Sequence, residues 1–184
     1  AVETAGNLLH GICNLADTKV NEDGQRTLFN IAYAQYAKFD FDISKSIRFS
    51  NRTSLALHFA LGVAYPYGNS DILPYEKRYF SGGANSVRGF TARSIGPGSY
   101  RSAQAKFAYM DQTGDVKLEI NAEMRYRLFG DLHTAVFLDA GNVWLLRKDE
   151  LRPGAEFSSA SFNNIAVGTG LGLRYDLDFL VLRF

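Results

Sequence analysis

The 184-residue chain has little of what several common functional classes require. Its single cysteine, Cys13, excludes an internal disulfide bond. Its three histidines, His10, His58 and His133, lie far apart and match no metal-binding or catalytic spacing. No run of apolar residues approaches the roughly 18 that a transmembrane helix needs. We therefore predict no α-helical membrane span, no metal site, no cofactor and no enzyme activity.

Charge of one sign is also missing, because 20 basic residues are balanced by 19 acidic ones. A net charge of +1 gives no electrostatic attraction to nucleic acid, so no nucleic-acid partner is predicted. The glycine pair Gly82-Gly83 is not followed by the lysine and hydroxyl residue of a phosphate-binding loop. Composition and short motifs thus do not indicate the function, whereas the pattern of hydrophobicity along the chain does.

Two long segments alternate between large apolar residues and small or polar ones. The large apolar side chains occupy the odd positions of residues 53–65 and the even positions of residues 116–128. Successive side chains of a β-strand point to opposite faces, so each segment has one apolar and one polar face. A strand of a soluble domain has about 5 or 6 residues, whereas a transmembrane strand needs roughly 9 to 11. The pattern favours transmembrane strands with the apolar face toward lipid and the polar face toward a lumen.

Seven strands are predicted in all. The others fall at residues 2–9, 29–43, 132–141, 165–175 and 179–184. Long connections at about 10–26, 67–114 and 146–160 alternate with short ones near 45–50, 129–131 and 176–178. An up-and-down barrel would place all long loops at one rim, as bacterial outer-membrane barrels do. We therefore predict an all-β fold, a transmembrane antiparallel up-and-down β-barrel embedded in the lipid of the bacterial outer membrane.

The chain is expected to be one part of such a barrel. Seven strands are an odd number, whereas single-chain bacterial barrels generally close with an even number. Residues 1–10 also lack the basic and apolar segments of an export signal. We therefore expect residues 1–184 to form a partial barrel domain of a longer protein, with any periplasmic domains outside this sequence.

The long connection at residues 67–114 carries the most specific motif. Its residues 75–100 read YEKRYFSGGANSVRGFTARSIGPGSY, with Gly82-Gly83 followed by Val87-Arg88-Gly89-Phe90. This segment resembles the VRGF loop signature of the BamA/TamA superfamily of outer-membrane barrels. Residues 137–144 and 168–184 are similar to later strands of that family, and the flanks of the loop resemble its TamA-like lipoprotein branch (TamL). The resemblance implies the C-terminal part of a 16-stranded barrel with a loop that folds into the lumen.

The resemblance also implies a site, because the loop arginine of this family meets acidic residues on the inner barrel wall. The matching residues here are Arg88 for the arginine, and Glu123 and Asp139 for the acids. Strand alternation independently places both acids on the inner face. A planar guanidinium can bridge two carboxylates, which explains the use of arginine. Gly89 is expected to permit a tight turn or a close approach to the wall, and Phe90 to be an apolar anchor.

For function, the resemblance implies a factor that helps barrel proteins fold into, or pass through, the outer membrane. Its clients would be unfolded barrel proteins, and a periplasmic or inner-membrane partner of TamB type is expected. Such a factor needs an openable seam whose edge strand pairs with an incoming strand. In the family that seam lies between the first and last strands, which this chain is expected to lack. Two alternatives stay open: a two-partner secretion transporter, which carries a similar loop, and a porin or receptor barrel, which does not.

Overall fold

The computed structural model describes residues 1–15, 18–21, 24–29, 31–102, 112–159, 161–177 and 180–183. The elements are β1 Val2–Ala5, α1 Asn7–Leu15, β2 Thr27–Leu28, β3 Ile31–Ala32, β4 Tyr36–Arg48, β5 Thr53–Pro66, β6 Val116–Phe129, β7 Leu132–Trp144, β8 Ala166–Leu177 and β9 Leu180–Arg183. Two short 3-10 turns lie at Tyr75–Lys77 and Ser161–Asn164.

One antiparallel sheet holds most of these strands, in the order β1-β4-β5-β6-β7-β8-β9, and β2 pairs with β3 apart from it. From β4 to β9, each strand of the large sheet pairs with the next strand along the chain. The first pair, β1 with β4, is separated in sequence by α1 and the β2-β3 hairpin. The predicted all-β, up-and-down order of a partial barrel is therefore confirmed. No helix within the described ranges is long and apolar enough to cross a membrane.

The central strands have the length that a membrane crossing needs. Strands β4 to β8 contain 12 to 14 residues each. At about 3.3 Å per residue and a tilt near 45°, 13 residues rise about 30 Å, the thickness of a bilayer core. Each strand can thus span the hydrocarbon region.

The two faces of the sheet differ as the alternation predicted. The outer face is made of large apolar side chains that lie 45–78% exposed, namely Phe39, Phe41, Ile43, Ile120, Met124, Val136, Leu138, Val167 and Leu171. A continuous apolar surface of this kind suits lipid rather than water. The inner face carries the polar residues of β6 and is covered by the loop between β5 and β6.

Two predicted strands near the start of the chain were placed incorrectly. The strand expected at residues 29–43 begins at Tyr36 and runs on to Arg48, because Gln35 is bound by the next long loop. The Gln35 backbone N–H donates to Ser70 Oγ at 3.1 Å, and its Oε1 accepts from the Asn69 N–H at 2.8 Å. The strand expected at residues 2–9 ends at Ala5, where a helix follows.

Helix α1 forms because apolar residues at positions 8, 9, 12 and 15 have helical spacing. The helix buries Cys13 completely, although residue 13 falls within the long connection predicted at about 10–26. The polar side of α1 contacts the barrel: Asn7 Oδ1 accepts from Tyr67 Oη at 2.6 Å, and His10 Nδ1 lies 2.9 Å from Tyr33 Oη.

The long loop between β5 and β6 enters the inner side of the sheet through Tyr79. This residue packs with Tyr36, Ala64, Leu73 and Val143 in a small buried core. Its backbone pairs with Gly114 in both directions, at 2.8 and 2.9 Å, and its hydroxyl donates to Asp40 Oδ1 at 2.5 Å. Burial raises the pKa of Tyr79 well above its usual value, so the hydroxyl keeps its proton and donates. The loop therefore continues along the wall from a fixed point.

Candidate functional site

The VRGF signature lies at the tip of a compact turn formed by residues 82–90. Gly82, Gly83 and Gly89 have φ angles of 101°, 106° and 89°, which residues with a Cβ rarely adopt. The Gly83 N–H donates to the Phe90 carbonyl at 3.0 Å, and the Gly82 N–H donates to Ser86 Oγ at 3.0 Å. A Cβ on Gly89 would meet no atom within 4 Å. Gly89 thus serves the turn, and the close approach to the wall that we considered for it does not occur.

Arg88 extends from this turn to the inner face of the sheet, where it contacts both predicted acids. Its Nε donates to Asp139 Oδ2 at 2.6 Å, and its Nη2 donates to Asp139 Oδ1 at 2.8 Å. Its Nη1 donates to Glu123 Oε2. The Arg88 backbone N–H adds a bond of 3.0 Å to Asp139 Oδ2. Asp139 is completely buried, so its charge depends on these donors.

A ring and a glycine complete the surroundings of Arg88. The guanidinium carbon lies 3.9 Å from the centroid of the Phe137 ring, which gives a cation–π contact. The register places Glu123 opposite Phe137, and Asp139 opposite Gly168 of β8. A Cβ at Gly168 would collide with the Arg88 carbonyl oxygen. Three adjacent strands, β6, β7 and β8, therefore form the binding site of Arg88, which we call its seat. Only a residue without a Cβ at position 168 leaves room for the loop there.

Arg88 keeps its charge in this seat. The hydrogen bonds that Arg88 donates to Asp139, with the one that it donates to Glu123, outweigh partial burial and raise the pKa of Arg88 above its ordinary value. A permanently charged guanidinium in a bidentate pair is stronger and more directional than a neutral hydrogen bond. The contact is suited to holding the loop in one position.

A second set of contacts holds the same turn to β6. Ser81 Oγ donates to Glu119 Oε1 at 3.0 Å, and Ser86 Oγ donates to the same oxygen. Asn121 Nδ2 donates to the Ser86 carbonyl at 2.7 Å. Glu119 is 2% exposed, and Lys117 Nζ lies 3.2 Å from its other oxygen. These residues were not predicted as site residues, although Glu119 and Asn121 share the inner-face parity of Glu123.

His58 links the turn to a more distant strand. Its Nδ1 lies 2.8 Å from Asn121 Oδ1, and its Nε2 lies 2.8 Å from Asp42 Oδ2 on β4. His58 therefore has two specific side-chain partners. Strands β4, β5 and β6 are thus connected to the loop through side chains as well as through the sheet.

The apolar anchor of the turn is Val87 rather than Phe90. Val87 is 0% exposed, whereas Phe90 is only partly buried. The Val87 side chain fits beside Gly141 and Gly168, where positions without a Cβ leave room. Among the described residues, no group of three or more histidine, cysteine or acidic side chains is placed to bind a metal ion.

A membrane-spanning sheet with an arginine loop held on its inner wall defines a class: outer-membrane barrels with an inward-folded loop. Residues 22–184 match the Omp85 superfamily domain. The chain belongs to the Omp85 superfamily, in agreement with the BamA/TamA resemblance of its loop, and is an integral protein of the bacterial outer membrane.

Individual relatives are similar over part of their length. The outer membrane protein assembly factor BamA of Neisseria meningitidis serogroup B is 32% identical over 100 residues, which are 52% of this chain and 12% of that protein. The crystal structure of BamA from Haemophilus ducreyi lacking POTRA domains 1-3 superposes with a TM-score of 0.63 at 16% identity, over 98% of this chain and 43% of that one. CdiB from Acinetobacter baumannii gives a TM-score of 0.47 at 16% identity, over 83% of this chain and 23% of that one. The chain thus spans a minor part of each relative.

Proposed function

We propose that this chain is part of a factor that helps β-barrel proteins fold into, or pass through, the outer membrane. The observation that carries the proposal is the seat of Arg88 between Asp139 and Glu123, which fixes the signature loop on the inner wall. A plain porin has no need for a partly buried arginine that ties a loop to three strands. The factor would act by binding and positioning other chains, without catalysis.

The contacts suggest how the loop would contribute. Arg88, Ser86 and Val87 hold the loop against β6, β7 and β8, so this part of the wall is braced from inside. A braced wall lets a seam elsewhere in the barrel open while the barrel as a whole keeps its shape. An open edge strand offers unpaired backbone groups to an incoming strand. The loop would therefore support the seam from the inner wall.

The finer features of this proposal concern the longer protein. They are a 16-stranded barrel with periplasmic domains beyond residues 1–184, a place in the TamA-like lipoprotein branch, unfolded barrel proteins as clients and a periplasmic or inner-membrane partner of TamB type. The support is the sequence of the loop and its flanks, together with membership of the superfamily.

Depletion of the full-length protein in its native cell tests the proposal. We expect many barrel proteins to fall together in quantitative proteomics of the outer membrane, and a plasmid copy to restore them. An Arg88→Ala copy should restore them poorly, whereas an Arg93→Ala copy, which removes a different arginine of the same loop, should restore them fully. Loss of one secreted protein with steady barrel levels would instead identify a two-partner secretion transporter. Unchanged levels of both would leave a porin or receptor.

A further inference from the structure

The inner face carries a row of basic side chains at the end of the sheet where the short turns lie. Arg127 on β6 is directly opposite His133 on β7, and His133 is directly opposite Arg174 on β8. The Arg127 N–H donates to the Arg52 carbonyl at 2.7 Å, which places Arg52 beside this row. In the neighbouring row Arg48 and Arg125 lie on either side of Ser54. We call these five arginines, Arg48, Arg52, Arg125, Arg127 and Arg174, the arginine rim.

Such an arrangement concentrates positive charge at one end of the inner face. Ser54 and His133 separate the arginines within the two rows, and arginine does not lose its charge in proteins. Few carboxylates compensate: Arg125 Nε donates to Glu123 at 2.7 Å, but Glu123 is already shared with Arg88. Arg127 lies 3.5 Å from the exposed Asp131. Within the described part of the chain, Arg48 and Arg52 have no carboxylate at ion-pair distance.

The arginine rim borders a cavity of about 870 Å³ on the inner side of the sheet. Arg88 also reaches this cavity, so its lining among the described residues includes six arginines and one carboxylate, Glu123. Its volume lies in the range of about 300–1,000 Å³ that is usual for ligand sites. Short turns of outer-membrane barrels face the periplasm, so the cavity opens toward that compartment.

We propose that the arginine rim binds an acidic, extended segment of a polypeptide that enters the barrel from the periplasm. The guanidinium fork matches a carboxylate in two parallel hydrogen bonds, and several forks in a row match several carboxylates along a chain. The rim lies on the inner face, and the sheet separates it from lipid headgroups. A polypeptide is therefore favoured over an anionic lipid. The proposal does not depend on whether the protein assembles barrel proteins or secretes a soluble one.

Peptide binding to the full-length protein in detergent tests the proposal. The probe is a fluorescent peptide of alternating glutamate and glycine, compared with its glutamine counterpart at about 0.15 M salt. We expect the glutamate peptide to bind and the glutamine peptide not to bind. The double variant Arg48→Gln/Arg52→Gln should raise the Kd about tenfold or more. The control Arg101→Gln/Lys148→Gln removes two exposed cations outside the cavity and should leave the Kd unchanged.

Folding of each variant is checked by the shift in gel mobility between heated and unheated samples. The variant Arg48→Lys/Arg52→Lys keeps the charge and should recover much of the affinity. Equal affinity of wild type and the Arg48→Gln/Arg52→Gln variant would overturn the proposal. The same holds if that variant lowers thermal stability but leaves binding intact, because the rim would then pair with acidic residues of its own barrel.

Crosslinking in cells identifies the source of the segment. A photo-reactive residue is placed at Ser54, which lies between Arg48 and Arg125 on the inner face. A crosslink within the same chain would identify a periplasmic part of this protein, and a heavier product would identify a client or partner. Either polypeptide product supports the proposal. A phospholipid adduct, or the absence of any polypeptide adduct, contradicts it.

Discussion

Arg88 contacts Asp139 through three separate donors, two from the guanidinium and one from the backbone. The side-chain bonds fix the orientation of the arginine, and the backbone bond fixes the path of the loop. Because Asp139 is fully buried, loss of these donors would leave a charge without compensation in the wall. The pair thus fixes the loop to strand β7 of the sheet.

Removal of the arginine side chain should destabilise the full-length barrel. We expect Arg88→Ala to cost about 3–5 kcal/mol, because it leaves two acids near each other with one partner gone. The measurement is urea unfolding in lipid vesicles. Arg93→Ala is the matched control, since Arg93 stacks on Phe80 at 4.4 Å without a buried carboxylate, and it should cost under about 1 kcal/mol. Equal effects of the two variants would show that Arg88 has no special role.

The two acids should differ in importance. Asp139→Asn removes the charge that receives three hydrogen bonds, whereas Glu123→Gln removes one that also pairs with Arg125 at 2.7 Å. We expect Asp139→Asn to destabilise the protein more than Glu123→Gln does. A double-mutant cycle should give a larger coupling energy for Arg88 with Asp139 than for Arg88 with Glu123. The reverse order would contradict the geometry.

Gly168 should tolerate no side chain. A Cβ at this position collides with the Arg88 carbonyl oxygen, so we expect Gly168→Ala to displace the loop and cost about 1–3 kcal/mol. Protease cleavage within residues 82–90 should become faster. The control is Gly11→Ala, because a Cβ at Gly11 meets nothing within 4 Å and alanine favours the helix. That variant should be neutral or slightly stabilising, and similar cleavage in both would exclude the proposed collision.

Stability should change with pH in opposite directions at two loop acids. Burial raises the pKa of Asp115, although the Leu146 N–H and nearby arginines act against it. Its stabilising contribution is complete below the unfolded-state pKa of about 3.9 and is lost as pH rises through the raised value. Asp115→Asn should therefore have a higher melting temperature than wild type at neutral pH. The difference in melting temperature should disappear in acid.

Asp149 provides the opposite case. Burial alone would raise its pKa, but hydrogen bonds from Arg152 at 2.7 Å and from the Leu151 N–H at 2.9 Å lower it. Its contribution is present above the unfolded-state pKa and is lost as pH falls through the lowered value. Asp149→Asn should melt below wild type at neutral pH. Melting curves of Asp115→Asn and Asp149→Asn between about pH 3 and 8 check the two predictions. Differences in melting temperature from wild type that have the same sign at neutral pH would refute the assigned pKa directions.

The sequence predicted the sheet well where alternation was undisturbed. Residues 53–65 and 116–128 became β5 and β6 almost to the residue, because every second position faces either lipid or the inner side. The start of the chain was harder, since α1 has helical spacing within a region of weak alternation. Gln35 also looked like one polar residue in a strand, and its role as a partner of Asn69 and Ser70 depends on a distant loop.

Parity predicted inner-face positions for Glu123 and Asp139, and the family resemblance indicated Arg88 as their partner. The remaining contacts could not be read from sequence because they depend on the path of the loop across the wall. Ser81 and Ser86 meet Glu119 only after the turn has formed, and the Arg88–Phe137 contact requires the same placement. The need for a residue without a Cβ at Gly168 becomes visible only with the loop in place.

The ends of the long loop lie side by side. Strands β5 and β6 are paired up to Val63 and Val116, and the Ala64 N–H donates to the Asp115 carbonyl at 2.8 Å. The register of this hairpin is therefore set by the strands, and the loop is an insertion between them. Between related barrels, such a loop should be transferable as a unit, provided that the strands facing it supply an aspartate and a glycine opposite each other, as Asp139 on β7 and Gly168 on β8 do.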